Sequence, residues 1–229
     1  MKSIKQLLLP LLQVIDPKGD MVFFVNRAIN RIEVPTSSMS GSGLSNLLIK
    51  LSKERIVLEF GSGGSTFLFA ENAKFTTSVE SDSYFSKVIE RTLHKKGQIE
   101  KTHIYWANIG PTKSYGQPLL SLRTIFQRRY VNYYNEIFQK SENSRKAEVV
   151  FIDGRFRVAC AMSSLLNIKQ DFQIIVDDYF DRPEYSDIAK VLGKPLTLVG
   201  NTALFEISIE SINLDSVEKI LEEYSFDPR

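Results

Sequence analysis

The stretch VLEFGSGGST at residues 57–66 decides the fold of this chain. Its first four residues form a short β-rich run, and glycines follow at positions 61, 63 and 64. Glycine lets the backbone turn sharply and approach a ligand without a Cβ in the way. The stretch therefore predicts a strand, a glycine turn and then a helix. Ser65 or Thr66 would cap the free N–H groups at the start of that helix.

The sequence after Arg55 alternates β-rich runs with helical segments, which predicts βαβ units and a parallel sheet. Only three residues separate the last two runs, so these should form an antiparallel hairpin. The predicted fold class is α/β, a doubly wound Rossmann-like sheet with its last strand antiparallel. The predicted strands are 56–60, 75–80, 103–106, 149–153, 174–177, 196–199 and 203–209, and the predicted helices are 66–71, 83–95, 158–168, 184–192 and 215–224.

Residues 1–54 are predicted to form an N-terminal helical cap, with helices at 4–15 and 44–51. The small-residue stretch at 36–43 suits a flexible linker or a segment that folds over a ligand. Pro10 interrupts the first apolar run, which favours a docking helix over a signal peptide. Residues 55–229 should form the ligand-binding domain, with an insertion at about 110–146.

The composition excludes several classes of protein. Hydrophobic residues make up 43% and the net charge is only +2, which gives no overall argument for binding nucleic acid or a membrane. Cys160 is the only cysteine, so neither an internal disulfide nor a four-thiolate zinc site can form. No apolar run is long enough to span a bilayer. These features predict a cytoplasmic protein.

Two glutamates mark the ends of the first two predicted strands. Glu59 precedes the glycine turn, where a carboxylate repels a pyrophosphate but suits a ligand with an ammonium group. Glu80 ends the second strand about twenty residues later, where it can accept both hydroxyls of a ribose. Both NAD and S-adenosylmethionine carry such a ribose, so Glu80 alone does not choose between them.

These motifs resemble those of the class I S-adenosylmethionine-dependent methyltransferases over about residues 55–209. The strings LEFGSGGST, SVESD, NIGPT, FIDGRFRVACA and VDDYFDRPEY are together similar to a bacterial group of uncharacterised methyltransferases. The resemblance implies that the glycine turn holds the methionine end of the cofactor and that Glu80 holds its ribose. Adenine would lie near Ala107, Asn108 and Ile109, and Asn108 stands where the family usually has an acid. The expected cofactor contacts are Glu59, Gly61, Ser62, Gly63, Gly64, Ser65, Thr66, Glu80, Ser81, Asn108, Ile109 and Asp153.

Three more carboxylates follow the fourth and fifth predicted strands, namely Asp153, Asp177 and Asp178. Their arrangement resembles the Mg²⁺ site of catechol-type O-methyltransferases, although an Asp stands in place of the usual Asn. Oxygen ligands suit Mg²⁺. Ion pairs with nearby arginines, or a metal-free general base at Asp153, are the competing interpretations. Asp178 and Tyr179 are secondary catalytic candidates.

The acceptor side of the site is less clearly marked. Arg155, Arg157 and Arg182 match an anionic acceptor, because guanidinium binds carboxylate or phosphate bidentately. Tyr115, in a loop after the third strand, would line the acceptor pocket or lie on the surface. The basic and aromatic insertion more often buries its aromatics than binds nucleic acid, and it also suits a lid or a homodimer contact.

The sequence therefore predicts an S-adenosylmethionine-dependent methyltransferase that methylates an oxygen of a small-molecule or carbohydrate-like acceptor. A non-catalytic nucleoside-binding module of the same fold is the first alternative. An NAD-dependent oxidoreductase is the second, and it is disfavoured because the glycine pattern lacks the third glycine of the dinucleotide motif.

Overall fold

The computed structural model describes residues 25–28, 43–119, 123–180 and 182–229. The strands are β1 (Ile56–Phe60), β2 (Phe75–Glu80), β3 (Thr102–Trp106), β4 (Val149–Ile152), β5 (Phe172–Val176), β6 (Thr197–Val199) and β7 (Thr202–Ile207). They form one seven-stranded sheet in the order β3-β2-β1-β4-β5-β7-β6. The first five strands pair in parallel, and β7 runs antiparallel to both β5 and β6. This topology confirms the predicted fold class.

Helices cover both faces of the sheet. The described α-helices are α1 (Gly43–Ser52), α2 (Gly64–Asn72), α3 (Ser83–Lys96), α4 (Arg123–Phe126), α5 (Val131–Tyr134), α6 (Glu136–Lys140), α7 (Glu142–Arg145), α8 (Arg157–Asn167), α9 (Ser186–Leu192) and α10 (Leu214–Tyr224). Short 3₁₀ turns lie at Ile99–Lys101, Ser114–Gly116, Gln127–Arg129, Pro183–Tyr185 and Ile209–Ser211. Residues 25–28 are also helical.

The central strands are buried on both faces, as expected for parallel strands between two helical layers. Val57 and Phe151 face a core formed with α1 and α2, which includes Leu48 and Phe69. Alternate residues of β1 and β4 face the larger core formed with α5, α6, α8 and α10. Side chains of a strand alternate between faces, so this alternation fixes which residues lie against α2.

The boundaries of several predicted elements shift by a few residues. The last strand ends at Ile207 instead of 209, because the chain then enters the Ile209–Ser211 turn. The helix predicted at 184–192 begins with a 3₁₀ turn and becomes α-helical at Ser186. The helix predicted at 44–51 is α1, which packs on the sheet beside α2. The helix predicted at 4–15 and most of the 36–43 stretch lie outside the described residues.

The segment predicted as an insertion is the connection from β3 to β4. Its short helices α5 and α6 bury Tyr130, Tyr133, Tyr134, Ile137 and Phe138 in the larger core. Its basic residues Arg128 and Arg129 are exposed. The interpretation that this segment buries its aromatics and solvates its charges is therefore confirmed.

The strand order places a crevice at the carboxyl ends of β1 and β4. From β1 the chain moves outward to β2 and β3, and it then returns to β4 on the other side of β1. Connections that leave two adjacent strands in opposite directions open a gap where ligands bind. Among the described residues, no helix is both long and apolar enough to cross a bilayer.

Candidate functional site

The glycine turn meets the end of β4 backbone to backbone. Gly61 has φ 103°, in the region that favours glycine, and a Cβ there would lie 2.5 Å from the Gly154 Cα. The N–H of Asp153 donates to the Phe60 carbonyl at 3.0 Å, which holds the two strand ends together. The turn and the residues after β4 therefore line the same crevice.

Glu59 supports the glycine turn from the buried side. Its side chain is fully buried, and its carboxylate accepts hydrogen bonds from the hydroxyls of Ser65, Thr66 and Ser78. Burial raises the pKa of Glu59 to about 7, against the opposing effect of these hydroxyl donors. Because the carboxylate is already bonded on both oxygens, it fixes the first turn of α2 in this structure. The expected contact of Glu59 with an ammonium group stays a prediction.

The glycine turn borders open space at Gly63. A Cβ on Gly63 would meet no heavy atom within 4 Å, and the backbone there is extended, with φ −179°. The Gly63 N–H donates to the Thr66 hydroxyl at 2.9 Å. Ser62 contacts Ser78 through their hydroxyls at 2.8 Å and is 9% exposed. The hydroxyls near the turn are thus engaged within the protein, and the open face lies at the Gly63 backbone.

Glu80 lies on the same face of the sheet as Glu59. Residue 59 pairs with Ser78 in the β1–β2 register, and Glu80 follows two positions later. Its Oε1 accepts from the Asp82 N–H at 2.7 Å and from the Ser81 hydroxyl at 3.3 Å. Within the described part of the chain, no donor contacts its Oε2. One oxygen of Glu80 is therefore positioned by the protein and the other is free to accept from a ligand.

Burial also perturbs the titration of Glu80. The residue is 6% exposed, and desolvation raises its pKa to about 7, with a smaller contribution from the negative charge of Asp82. The hydrogen bond from the Asp82 N–H acts in the opposite direction.

A small hairpin covers the end of β2. Thr112 and Pro118 form its bridge, the Thr112 hydroxyl donates to Asp82 at 2.6 Å, and the Ser81 hydroxyl donates to the Gly116 carbonyl at 2.8 Å. Tyr115 is at its tip, 81% exposed and with φ 58°. A bulky residue rarely adopts this backbone conformation. The expectation that Tyr115 lines an acceptor pocket stays a prediction.

Some residues after β3 lie in the larger core and others lie at the edge of the crevice. Ile109 is 1% exposed and packs in the larger core. Asn108 is half-buried, and its side-chain oxygen accepts from the Gly110 N–H at 3.1 Å. Trp106 is 45% exposed and donates its indole N–H to the Ser81 carbonyl at 3.1 Å. Ala107 is fully buried, so Asn108 is the most accessible of the three residues predicted to lie near adenine.

The three predicted aspartates converge on one arginine. Asp153, Asp177 and Asp178 can bring one oxygen each within 4.8 Å of the others. Arg157, whose side chain is 3% exposed, donates to Asp153 Oδ1 at 3.1 Å and to Asp178 Oδ2 at 3.2 Å. The same nitrogen, Nη2, also donates to the Asp153 carbonyl, and Nε and Nη1 donate to the carbonyls of Gly154 and Asp177. The ion-pair interpretation is therefore the one that the structure shows.

This arrangement fits a resident Mg²⁺ poorly. Two of the three carboxylates already bond a guanidinium, and Asp177 Oδ1 accepts from the Thr202 hydroxyl. Arg157 thus supplies the positive charge that a metal would supply here. It is also too fully engaged to bind an acceptor in this conformation.

Asp153 keeps one accessible oxygen. Its side chain is 38% exposed, and among the described residues only Arg157 bonds it, through Oδ1. Burial of the carboxyl raises the pKa of Asp153 to about 7, against the opposing charge of Arg157, and the charges of Asp177 and Asp178 raise it further. Asp178 has φ 53°, a backbone conformation that is uncommon outside glycine and frequent at functional sites.

Tyr179 follows Asp178 directly, but its ring packs into the larger core. Its ring packs on Phe205 with centroids 5.5 Å apart, and the residue is 7% exposed. No hydrogen bond joins it to the three aspartates in the described structure. Its predicted catalytic role has no contact to support it.

Three residues near the crevice were not predicted from the sequence. Tyr133, from the β3–β4 connection, lies with its hydroxyl 3.3 Å from the Arg155 N–H and against Gly154. Asp82 caps α3 and ties the hairpin to β2. Tyr185 contacts two arginines, Arg157 and Arg182, whose guanidinium carbons each lie 5.8 Å from its ring centroid. Only Asp82 had a sequence signal, as an Asp directly before a predicted helix.

Comparison with solved structures gives a close relative. A methyltransferase-like protein from Silicibacter pomeroyi is 32% identical, with TM-score 0.74, and the match covers 85% of this chain and 99% of that one. A methyltransferase from Geobacter sulfurreducens matches at 16% identity and TM-score 0.46, covering 83% and 89%. An O-methyltransferase from Bacillus cereus matches at 15% and 0.45, covering 96% and 86%. No protein-family model matches the chain, and no curated protein does.

Proposed function

Because this chain belongs to the class I S-adenosylmethionine-dependent methyltransferases, we propose that it methylates an oxygen of a small-molecule or carbohydrate-like acceptor. The observation that carries the cofactor part of this proposal is the pairing of an open, Cβ-free turn at Gly63 with the free Oε2 of Glu80 on the neighbouring strand end. A nucleoside that carries an amino acid fits such a pairing, because its amino-acid end can lie against the Cβ-free turn and its ribose hydroxyls can donate to the carboxylate.

The cofactor would be held by the backbone of the turn and by Glu80. Bound S-adenosylmethionine would supply a methyl group already activated by its sulfonium charge. Glu59 would then act as a positioning residue, since its bonds to Ser65, Thr66 and Ser78 fix the turn. The protein's remaining tasks are to align the acceptor and to remove its proton.

Asp153 is the residue that we assign to proton removal. It lies at the crevice beside Gly154, its Oδ1 is held by Arg157, and its Oδ2 is free to accept a proton from a hydroxyl. A pKa raised to about 7 is well matched to a general base that works near neutral pH. Asp178 shares the bond to Arg157 and orients it. No step is assigned to a metal.

Titration calorimetry with S-adenosylmethionine, S-adenosylhomocysteine and NAD tests the proposal. We expect binding of the first two and none of NAD. Turnover is then measured with cofactor labelled in its methyl group against a library of hydroxyl-bearing acceptors. Asp153→Asn should lower turnover on any accepted compound while leaving S-adenosylhomocysteine binding within a factor of about two, since the change is isosteric.

The competing functions give different results. NAD binding alone would refute the methyltransferase proposal. Binding of S-adenosylmethionine with no turnover on any acceptor would indicate the non-catalytic module. Assembly into a homodimer and location in the cytoplasm stay predictions from the sequence.

A further inference from the structure

Three arginines gather around one buried tyrosine beside the crevice. Arg157 and Arg182 each lie with the guanidinium carbon 5.8 Å from the Tyr185 ring centroid. Arg155 follows Gly154, whose backbone touches the glycine turn, and its charge acts on the same tyrosine. The cluster therefore adjoins the place where an acceptor would meet the cofactor.

The positive charges of this cluster are not equally balanced. The guanidinium of Arg157 donates hydrogen bonds to two carboxylates and three carbonyls. For Arg155 and Arg182, no carboxylate oxygen of the described residues lies within 4.0 Å. Burial lowers the pKa of Arg155, and the charges of Arg157 and Arg182 act in the same direction, against the opposing effect of Tyr133. Two half-buried guanidiniums thus lack a counter-charge among the residues that the structure describes.

Two buried polar atoms in the same cluster also lack partners in the described part of the chain. Tyr185 is fully buried, yet its hydroxyl makes no hydrogen bond, and neither does the shielded Nε of Arg155. Buried donors are nearly always paired, so unpaired ones call for an explanation. An oxyanion supplies both the missing negative charge and several acceptor oxygens.

We propose that Arg155, Arg182 and Tyr185 form the binding site for an anionic group, a carboxylate or a phosphate, on the methyl acceptor. This inference rests on the proposed function, because it assigns the substrate class of the same site. The anion reaches the half-buried guanidiniums from solvent. Small side-chain movements then bring the Tyr185 hydroxyl and the Arg155 Nε within hydrogen-bond distance of its oxygens. Arg157 stays in the aspartate cluster and orients Asp153.

The test measures binding of inorganic phosphate, and separately of acetate, to the full chain saturated with S-adenosylhomocysteine, by calorimetry in a buffer without other small oxyanions. We expect one site, weakened about tenfold or more by Arg182→Gln and by Arg155→Gln, since each removes charged hydrogen bonds. Tyr185→Phe should weaken binding less, because only one neutral donor is lost. Arg91→Gln, on the exposed face of α3, removes the same charge elsewhere and should bind like the unmodified protein.

Tighter binding of acetate would identify a carboxylate and tighter binding of phosphate a phosphate ester, and both results support the site. The absence of saturable binding of either anion would overturn it, as would equal binding by the arginine variants and the Arg91→Gln control. If Arg155→Gln does not fold, anion binding by Arg182→Gln and Tyr185→Phe tests the proposed site. Failure of the unmodified protein to bind S-adenosylhomocysteine would instead refute the proposed function, so the two failures are distinguishable.

Discussion

Gly61 and Gly154 contact each other through their backbones, at the point where β1 and β4 end. A Cβ on Gly61 would lie 2.5 Å from two backbone atoms of Gly154, and its φ of 103° disfavours any other residue. This contact brings the glycine turn within reach of Asp153 and of the arginines that follow it. The site is thus assembled across the gap in the sheet that the strand order creates.

Two glycines of the same turn should respond differently to alanine. Gly61→Ala should destabilise the protein by about 3 kcal/mol, from backbone strain and overpacking. Gly63→Ala should cost less than about 1 kcal/mol, because its Cβ enters open space and the main loss is the poorer capping of α2 by alanine. It should nevertheless weaken S-adenosylhomocysteine binding about tenfold, since that space is where the ligand would lie. Urea unfolding and calorimetry measure both; normal ligand affinity in Gly63→Ala would show that the cofactor lies elsewhere.

The buried carboxyl of Glu59 should make stability depend on pH. Its pKa is about 7 in the folded chain, against an ordinary value of 4.5, so between these values the folded state holds a proton that the unfolded chain has released. The free energy of unfolding should therefore fall as pH rises from about 4.5 to 7, by at most about 1.4 kcal/mol per pH unit for this group. Glu59→Gln should lower that slope by the share of this group, while Glu80 and Asp153, whose pKa values are also raised to about 7, keep the rest. Urea unfolding at several pH values measures the slope.

The control for that experiment is Glu222→Gln, which changes an exposed residue of α10. It should keep the slope of the unmodified protein. A slope identical in Glu59→Gln and in the unmodified protein would mean that Glu59 is ionised in the fold throughout this range.

Glu80 should govern cofactor affinity and its pH dependence. The free Oε2 accepts ribose hydroxyls best when ionised, so affinity for S-adenosylhomocysteine should rise with pH until about 7 and then level off. Glu80→Gln should weaken binding by about 2 kcal/mol and remove this rise, because charge-assisted hydrogen bonds are lost. Glu90→Gln, on the exposed face of α3, is the matched control. Unchanged affinity in Glu80→Gln would exclude the ribose contact.

Divalent cations should have little effect on the protein while Arg157 is present. Mg²⁺ or a chelator should shift the melting temperature by less than about 1 °C, because the aspartates already have a cationic partner. Arg157→Gln should lose about 1–3 kcal/mol of stability, since it removes the hydrogen bonds of a buried guanidinium and leaves two partly exposed carboxylates without their counter-charge. Mg²⁺ should restore part of that loss. A large stabilisation of the unmodified protein by Mg²⁺ would instead support the metal site.

Much of the architecture followed from local sequence. Residues 57–66 predicted a strand, a glycine turn and a helix because glycine spacing and apolar runs are read from neighbours along the chain, and β1 and α2 confirm it. The three-residue gap before β7 likewise predicted an antiparallel hairpin, because so short a connection allows no other pairing. The sequence alone thus determined the class of fold, the order of its elements and the carboxylates at the strand ends.

Only the tertiary structure decided what those carboxylates contact. Glu59 was expected to face a ligand, but three hydroxyls surround it, one of them from β2. Asp153 and Asp178 lie far apart in the chain and share Arg157, while the Tyr185 hydroxyl is left unpaired among the described residues. Such partners come from different strands and helices, and their distances depend on strand register and helix packing. No local sequence pattern specifies these distances, because side chains acquire their hydrogen-bond and charge partners only when the helices pack against the sheet.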